Sequence, residues 1–533
     1  MTDDALELLL AYDDGPAGAL PRSALDGRHR DAAPERLPDH LWAENDDIDD
    51  LARQRLCVVV PEGDRGKALR GLADPLVRAR EAEQRAAVPT YPVPARMSAS
   101  EAQQWLARLR AGFADPREAP RYYLLLGDLD EVPHAVQQAI ALADGCPGRL
   151  AFETDDDLRA YAERALRDPA ADPPPVQLHA AATDRTVEHA RDRLLAPVRD
   201  LLRRRHELGE LPAAAVDELP DLTAATAARP FLFTVTHGYG GDRQRGFTSL
   251  ADRRRRQGAL VLPGGALLGA DELRARPLAQ HGFWFMFACY GAGTPDESAY
   301  APWLRELRGG ALASTADAVL RALPAAGEPP FVAALPKAAL AGPEGPLACF
   351  GHVDVAWQFA YSDAEATVLS RPGKFAALIE DACRGRRAGA LARTLARAAA
   401  DAALRLTAEA EQNRRDPDGA ARRADRVASL WLLHHDLAAY VLLGDPTVRL
   451  RAPNLPTRTG AIDPVPQATS SLPASLAELA RRLGPGKLEE AFARALVKDP
   501  ARAVARDLGI DLADLRALED AYRVAGRRAL GLG

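Results

Sequence analysis

Several short runs of the chain are apolar at nearly every position, with none of the two-fold or three-to-four-fold alternation of a half-exposed element: LCVVV at Leu56–Val60, YYLLL at Tyr122–Leu126, FLFTVT at Phe231–Thr236 and FWFMFA at Phe283–Ala288. Strands of this kind are buried on both faces, as in a parallel sheet covered by helices. Weaker strand signals lie at Gly148–Phe152, Gly258–Pro263, Phe331–Leu335, Leu347–Gly351 and the start of Tyr440–Leu450. After Gly258–Pro263, the Gly264-Gly265 turn predicts a hairpin returning through Ala266–Gly269. Helical periodicity fills the intervals, at about 65–86, at Asp155–Leu166 and Asp184–Leu208, and at about 372–412 and 420–442. The expected fold class is α/β: a parallel sheet flanked by helices, with an α/β amino-terminal subdomain and a helical carboxyl-terminal appendage.

Pro-rich breaks divide this pattern at 168–175 and 453–474. The predicted organisation is an acidic arm over 1–50 with a short helix at Ala5–Tyr12, an α/β subdomain over 51–175, a helical linker over 176–228, an α/β domain over 229–452, and a linker with a small helical domain over 453–533.

Composition narrows the function classes. Of the 533 residues, 47% are hydrophobic and 27% charged, enough for a sizeable core. No apolar run approaches the roughly 20 residues that cross a bilayer. The first residues are acidic where a secretory leader is basic, so a cytoplasmic protein without a membrane partner is expected. The net charge of −7 is uneven: residues 1–50 hold fourteen acids and four arginines, a balance of −10 that leaves the rest at +3. No basic stripe interleaved with aromatics appears, which disfavours nucleic acid. The run Arg253–Arg256 reads as a solvated loop or helix face. The Gly238–Gly241 and Gly264-Gly265 phrases lack phosphate-loop spacing, and no HExxH or ligand cluster is present, so neither nucleotide, cofactor nor metal is expected. Five widely spaced cysteines, with no CxxC, read as free thiols.

One constellation carries chemistry. FLFTVT stops at His237-Gly238, and FWFMFA stops at Cys289-Tyr290-Gly291. Reactive residues of open parallel sheets collect where strands end. A thiol attacks as thiolate, and a neighbouring imidazole can take its proton and return it to the leaving amine. The predicted pair is Cys289 as nucleophile and His237 as base and acid, with the amides of Gly238 and Cys289 as the oxyanion hole. Cys57 and Cys349 fall in or near apolar runs and read as core. His352, His434 and His435 are the rival histidines, the last two in a helical pattern.

The segment HGYGG…LVLPGG…ADEL…FWFMFACYGAGTP resembles the caspase-like superfamily of cysteine peptidases, especially its bacterial CHAT-like and gingipain-like branches. YYLLLGDLDEVP (122–133) with GRLAFETDDDLRAYAERAL (148–166) is similar to a gingipain-like amino-terminal subdomain. YVLLGDPTVRL (440–450) resembles that family's closing segment, and GHVDVAWQFAY (351–361) looks like a CHAT-type phrase. The resemblance implies a caspase-like catalytic domain at 229–452, peptide-bond hydrolysis of a protein or peptide substrate through a thioester, and a bacterial defence or signalling setting with a regulatory protein partner. The pocket charges of known relatives do not transfer: His134–Gln138 lacks the acid expected there, and FAC-Tyr290-Gly291 replaces the caspase phrase. Asp296, Asp354 and Trp357 are the substrate-binding candidates. Two other readings stay open: a catalytically inactive caspase-fold interaction or scaffold module, and another thiol hydrolase or acyltransferase on the same dyad.

Overall fold

The structure, a computed structural model, describes residues 47–114, 118–167, 170–181, 184–211, 216–222, 228–242, 244–308, 313–357, 360–361, 371–452, 505–506 and 509–516, together with four short strand segments before residue 22. The chain divides into two compact units, Met1–Asn454 and Leu455–Gly533. In the second unit, Ala505 and Leu515 are buried together. Most of the expected helical appendage, and the linker before it, lies outside the described residues. The helix expected at Ala5–Tyr12 does not form: Ala5–Glu7 pairs antiparallel with Ala19–Pro21, and Ala11–Tyr12 with Gly15–Pro16.

The first unit is built on one sheet of ten strands: β1 (Leu56–Pro61), β2 (Thr90–Val93), β3 (Tyr122–Leu126), β4 (Cys146–Leu150), β5 (Val176–Ala180), β6 (Val216–Glu218), β7 (Phe231–Val235), β8 (Phe283–Phe287), β9 (Ala348–His352) and β10 (Tyr440–Gly444). Their spatial order is β6-β5-β7-β8-β9-β10-β4-β3-β1-β2. Every neighbouring pair is parallel except β9 with β10. The α/β class is as expected, and two parallel blocks meet at that single antiparallel seam.

Alternate residues of the apolar runs serve opposite layers. Leu56, Val58 and Val60 join Leu69, Leu76, Val77 and Tyr161 in one core, while Cys57 and Val59 join Leu106, Val136 and Ile140 in another. Helices therefore cover both faces, which is why these strands could not alternate in polarity. Across β7, β8 and β9, Phe233, Phe285 and Phe350 form a cross-strand ladder, with ring centroids 4.7 and 5.9 Å apart. Phe375 of helix Pro372–Cys383 caps it edge-on at 5.7 Å from Phe285.

Three strands escaped the sequence pattern. Thr90–Val93 contains Pro92 and lies at one sheet edge, where a missing N–H is tolerated. Val216–Glu218 is a three-residue strand at the other edge. Val176–Ala180 follows the Pro-rich break and carries Gln177 and His179, yet it is covered on both sides. The segment 176–228 thus contributes two strands as well as its helix. That helix changes to π-helical hydrogen bonding over Arg191–Leu195, just before Pro197, whose ring has no N–H to give. Among the described residues no helix is long and apolar enough to cross a membrane.

Candidate active site

Strands β5, β7, β8 and β9 run parallel as neighbours, so their carboxyl ends share one sheet edge. The chain visits β5, then the edge strand β6, then returns to β7 on the other side of β5. The crevice between β5 and β7 is thus a topological switch point, where ligands of open α/β sheets bind. Asp184 follows β5, His237 follows β7, Cys289 follows β8, and Asp354 and Trp357 follow β9.

The register of β7 and β8 bears on the predicted pair. β7 and β8 align residue n with n+52, from Phe231↔Phe283 to Val235↔Phe287. Carried two positions past the end of the ladder, the same offset would align the backbone of His237 with that of Cys289. The approach is tight: a Cβ on Gly238 would lie 1.8 Å from the Cys289 carbonyl oxygen. The ladder ends with the Thr236 amide donating to the Phe287 carbonyl at 3.2 Å; among the described residues neither the Gly238 nor the Cys289 amide donates to a carbonyl. Gly238 bridges Leu260, with the Val261 amide on the His237 carbonyl and the Tyr239 amide on that of Ala259. The hairpin of Leu260–Val261 with Leu267–Leu268 forms as expected.

His237 Nε2 lies 2.9 Å from Asp184 Oδ2. Asp184 caps helix Arg185–Ala190, its Oδ1 accepting from the amides of Thr186 (3.0 Å) and Val187 (3.1 Å), so the cap aims the second oxygen at the imidazole. Against a burial penalty, the Val187 amide and His237 hold this carboxyl below its ordinary range. With a carboxylate at Nε2, that nitrogen carries the hydrogen and Nδ1 is left as acceptor. The sequence reading missed Asp184. Its signal was the Asp before a helical run, once Val176–Ala180 is seen as a strand.

Of the five cysteines, four are buried and Cys289 is half-buried. Its Sγ accepts from the Ala356 amide at 3.3 Å and donates to the Ala356 carbonyl at 3.6 Å. Burial of the sulfur pushes the thiol up to about 11; the Ala356 amide opposes this, and the charges of Asp436 and Asp354 add to it. Two of the rival histidines are tied to backbone carbonyls. His352 is fully buried between the Asp354 and Asp436 carbonyls, both at 3.0 Å, and His434 Nδ1 meets the Ala399 carbonyl at 2.9 Å.

The other candidates separate by position. Asp296 is exposed, its Oδ1 accepting from the Glu297 amide at 3.0 Å. Asp354 is buried, accepting from Ser298 Oγ (2.9 Å) and the Val355 amide (2.7 Å). Trp357 is half-buried, its amide on Asp436 Oδ1 at 2.9 Å, in an aromatic group that includes Cys289.

The arginine run is only in part a solvated face. Arg253 is buried and bonds the carbonyls of Ala322 (3.1 Å) and Leu323 (2.8 Å); Arg254 pairs with Asp130 at 3.0 Å; only Arg255 is exposed. Arg256 lies over the Tyr239 ring at 4.7 Å and donates to its hydroxyl at 3.1 Å, bracing the loop that follows His237. Helix Leu250–Arg256 is thereby stapled to its surroundings by the charges expected to face water.

No protein-family model matches the chain, and no curated protein matches it. Among solved structures it is similar to one described as the structure of a protease (TM-score 0.41, 12% identity, 74% of this chain and 78% of that one). It is also similar to the Arg-specific cysteine proteinase gingipain R (0.39, 12%, 75% and 79%) and to a complex of Porphyromonas gingivalis RgpB pro- and mature domains (0.38, 11%, 74% and 80%).

Proposed function

We propose that the chain is a cysteine endopeptidase with Cys289 as nucleophile and His237 as its base and acid. What supports the proposal is the shared register of β7 and β8, whose continuation brings the backbones of His237-Gly238 and Cys289 close, together with the half-buried thiol and the contact of His237 with Asp184.

The cycle follows from these groups. His237 Nδ1 takes the Sγ proton as sulfur attacks the scissile carbonyl carbon. The carbonyl oxygen becomes an oxyanion, held by the amides of Gly238 and Cys289, neither of which another carbonyl uses among the described residues. Asp184 stabilises the imidazolium. His237 then protonates the departing amine, the C–N bond breaks, and a thioester remains on Cys289. Water, deprotonated by His237, attacks the thioester; the acid leaves and the thiolate takes its proton back.

In this reading 229–452 is the catalytic domain, served by Asp184 from the 176–228 segment and buttressed by the strands of 51–175. Asp354 braces the nucleophile turn from beneath. Asp296, being exposed, offers a bound cation little. Regulation by a protein partner in a bacterial defence or signalling system is the accompanying inference.

A thiol-directed peptide probe tests the proposal. Labelling and cleavage of a mixed peptide library are expected from the unmodified protein and lost in Cys289→Ala and His237→Ala. Labelling that persists in Cys289→Ala would instead favour a non-catalytic interaction module. Transfer of the acyl group to a non-water acceptor, without cleavage of internal peptide bonds, would favour the acyltransferase reading.

A further inference from the structure

The dyad alone does not say which substrate residue it accepts. On the β9 side of Cys289 the protein gathers Tyr290, Tyr300, Leu304 and Val355 with the half-buried Trp303, Trp357 and Trp431. Tyr300 meets Trp357 edge-on at 5.5 Å and Trp431 at 5.8 Å, and Trp303 meets Trp357 at 5.6 Å. Three of the chain's six tryptophans therefore stand in one patch at the nucleophile.

Two hydrogen-bond donors inside this patch are buried and, among the described residues, unpartnered: Tyr300 Oη and Trp357 Nε1. Tyr300 is only 1% exposed. Buried donors are nearly always satisfied, so two orphans beside one sulfur point to an acceptor that arrives with a ligand.

The charges around the patch are already committed. Asp436 Oδ1 accepts from the Trp357 amide at 2.9 Å and lies 3.2 Å from His352 Nε2, and its Oδ2 accepts from the Ala360 amide at 2.8 Å. Asp354 is engaged by Ser298 and by backbone amides. Neither acid has a free edge for a guanidinium or an ammonium. Among the described residues no arginine stacks on these rings to meet a carboxylate. His435 lies 4.6 Å from Trp431, and burial pushes it down to about 4, which leaves it uncharged at neutral pH.

We propose that this aromatic patch, resting on the protease reading above, holds the substrate side chain on the acyl side of the scissile bond. It selects a large uncharged side chain that can accept a hydrogen bond, with tyrosine the best fit. The rings match an aromatic side chain, and Trp357 Nε1 and Tyr300 Oη find their acceptor in its phenolic oxygen. Trp357 and Tyr300 are then specificity-determining residues.

The test uses the full chain and peptide acyloxymethyl ketones that differ only in the residue next to the warhead: tyrosine, phenylalanine, glutamine, arginine, lysine or aspartate. The rate of Cys289 labelling is followed by mass spectrometry. The tyrosine probe is expected to label at least about ten-fold faster than the arginine, lysine and aspartate probes. Trp357→Phe keeps a ring and removes the indole donor but leaves Tyr300 Oη, so the tyrosine-over-phenylalanine preference should fall by at least about half. The preference of the unmodified protein decides the matter without relying on any variant's folding. Fastest labelling by the arginine, lysine or aspartate probe overturns the pocket and leaves the protease reading standing. Labelling by no probe overturns both.

Discussion

The amide of Tyr290 donates to the carbonyl of Asp354 at 2.8 Å, and each of these non-glycine residues has a positive φ, 57° and 123°. Such conformations cost about 1–3 kcal/mol apiece and persist where the surroundings over-determine them. Here the bracing is visible. The Tyr290 hydroxyl reaches the Ala322 carbonyl at 3.2 Å, and its own carbonyl is so close to Gly258 that a Cβ there would lie 2.2 Å away. The turn that presents Cys289 is thus held from β7, β9 and the segment before the Leu260–Leu268 hairpin at once, the fixed direction that the proposed nucleophile would need.

Asp354 makes this bracing pH-dependent. Burial pushes its carboxyl up to about 6 from an ordinary 3.8. Between those values the folded state keeps a proton that the unfolded state has released. The stabilisation from this group is therefore complete below about pH 4 and is lost as pH rises through about 6, about 3 kcal/mol in all. Asp354→Asn cannot ionise. Whatever constant cost its amide adds, the variant's melting temperature relative to wild type should climb between pH 4 and pH 7. Thermal denaturation across that range checks this, and a flat difference would sink the assignment.

Gly238 should tolerate no side chain. A Cβ would lie 1.8 Å from the Cys289 carbonyl oxygen and 2.8 Å from its carbon, both backbone atoms that cannot swing aside. Gly238→Ala must push the ends of β7 and β8 apart, and a displacement of about 1 Å between catalytic groups costs roughly a hundred-fold in rate. Gly240→Ala meets only the Ala322 side chain, at 3.2 Å, and is the control. Comparing kcat/KM on one peptide separates them; equal rates would mean that His237 and Cys289 do not work as neighbours.

Asp184 has two jobs that substitution can separate. Asparagine also caps helices, so Asp184→Asn should keep the bonds to Thr186 and Val187 and nearly all the stability. It loses the negative charge behind His237, and kcat should fall by roughly ten- to a hundred-fold with KM little changed. The site is half exposed, which keeps the loss below that of a buried carboxylate. Asp184→Ala should show the same loss of kcat and, in addition, a lower melting temperature, by about 1 kcal/mol of cap. A purely structural Asp184 would give Asn variants with normal kcat.

The residues explain what the sequence could and could not show. The strand-end positions of His237 and Cys289 were legible because each follows a nearly wholly apolar run and meets glycine, a pattern that strand ends in a covered sheet impose. The single antiparallel seam was not, because Leu347–Gly351 and Tyr440–Gly444 look alike whichever way they run. Asp184 was hidden because β5 carries Gln177 and His179 and follows prolines, so the strand that aims it was not recognised. Arg253, Arg254 and Arg256 were misjudged because their partners, Ala322, Leu323, Asp130 and Tyr239, are distant in sequence. Three of the tryptophans around Cys289 come from 303, 357 and 431 and meet only in the fold.

The state of the thiol gives the last prediction. A thiol near 11 holds roughly one part in ten thousand as thiolate at pH 7. In the free protein Cys289 should therefore alkylate slowly with iodoacetamide, and the rate should still be rising at pH 9 and above. The buried thiols Cys57, Cys146, Cys349 and Cys383 should stay unmodified while the fold holds. Mass spectrometry of the alkylated native protein reads both the site and the rate. Because Sγ rests against the Ala356 backbone, the proposed cycle requires bound substrate to turn it toward His237 before the proton transfers. The peptide ketones should accordingly react faster than iodoacetamide by more than their intrinsic reactivities explain, and that excess should vanish in His237→Ala. A rate with iodoacetamide that is flat from pH 5 to pH 9 would instead mean a standing thiolate–imidazolium pair, and Cys289 would not need His237 to take its proton.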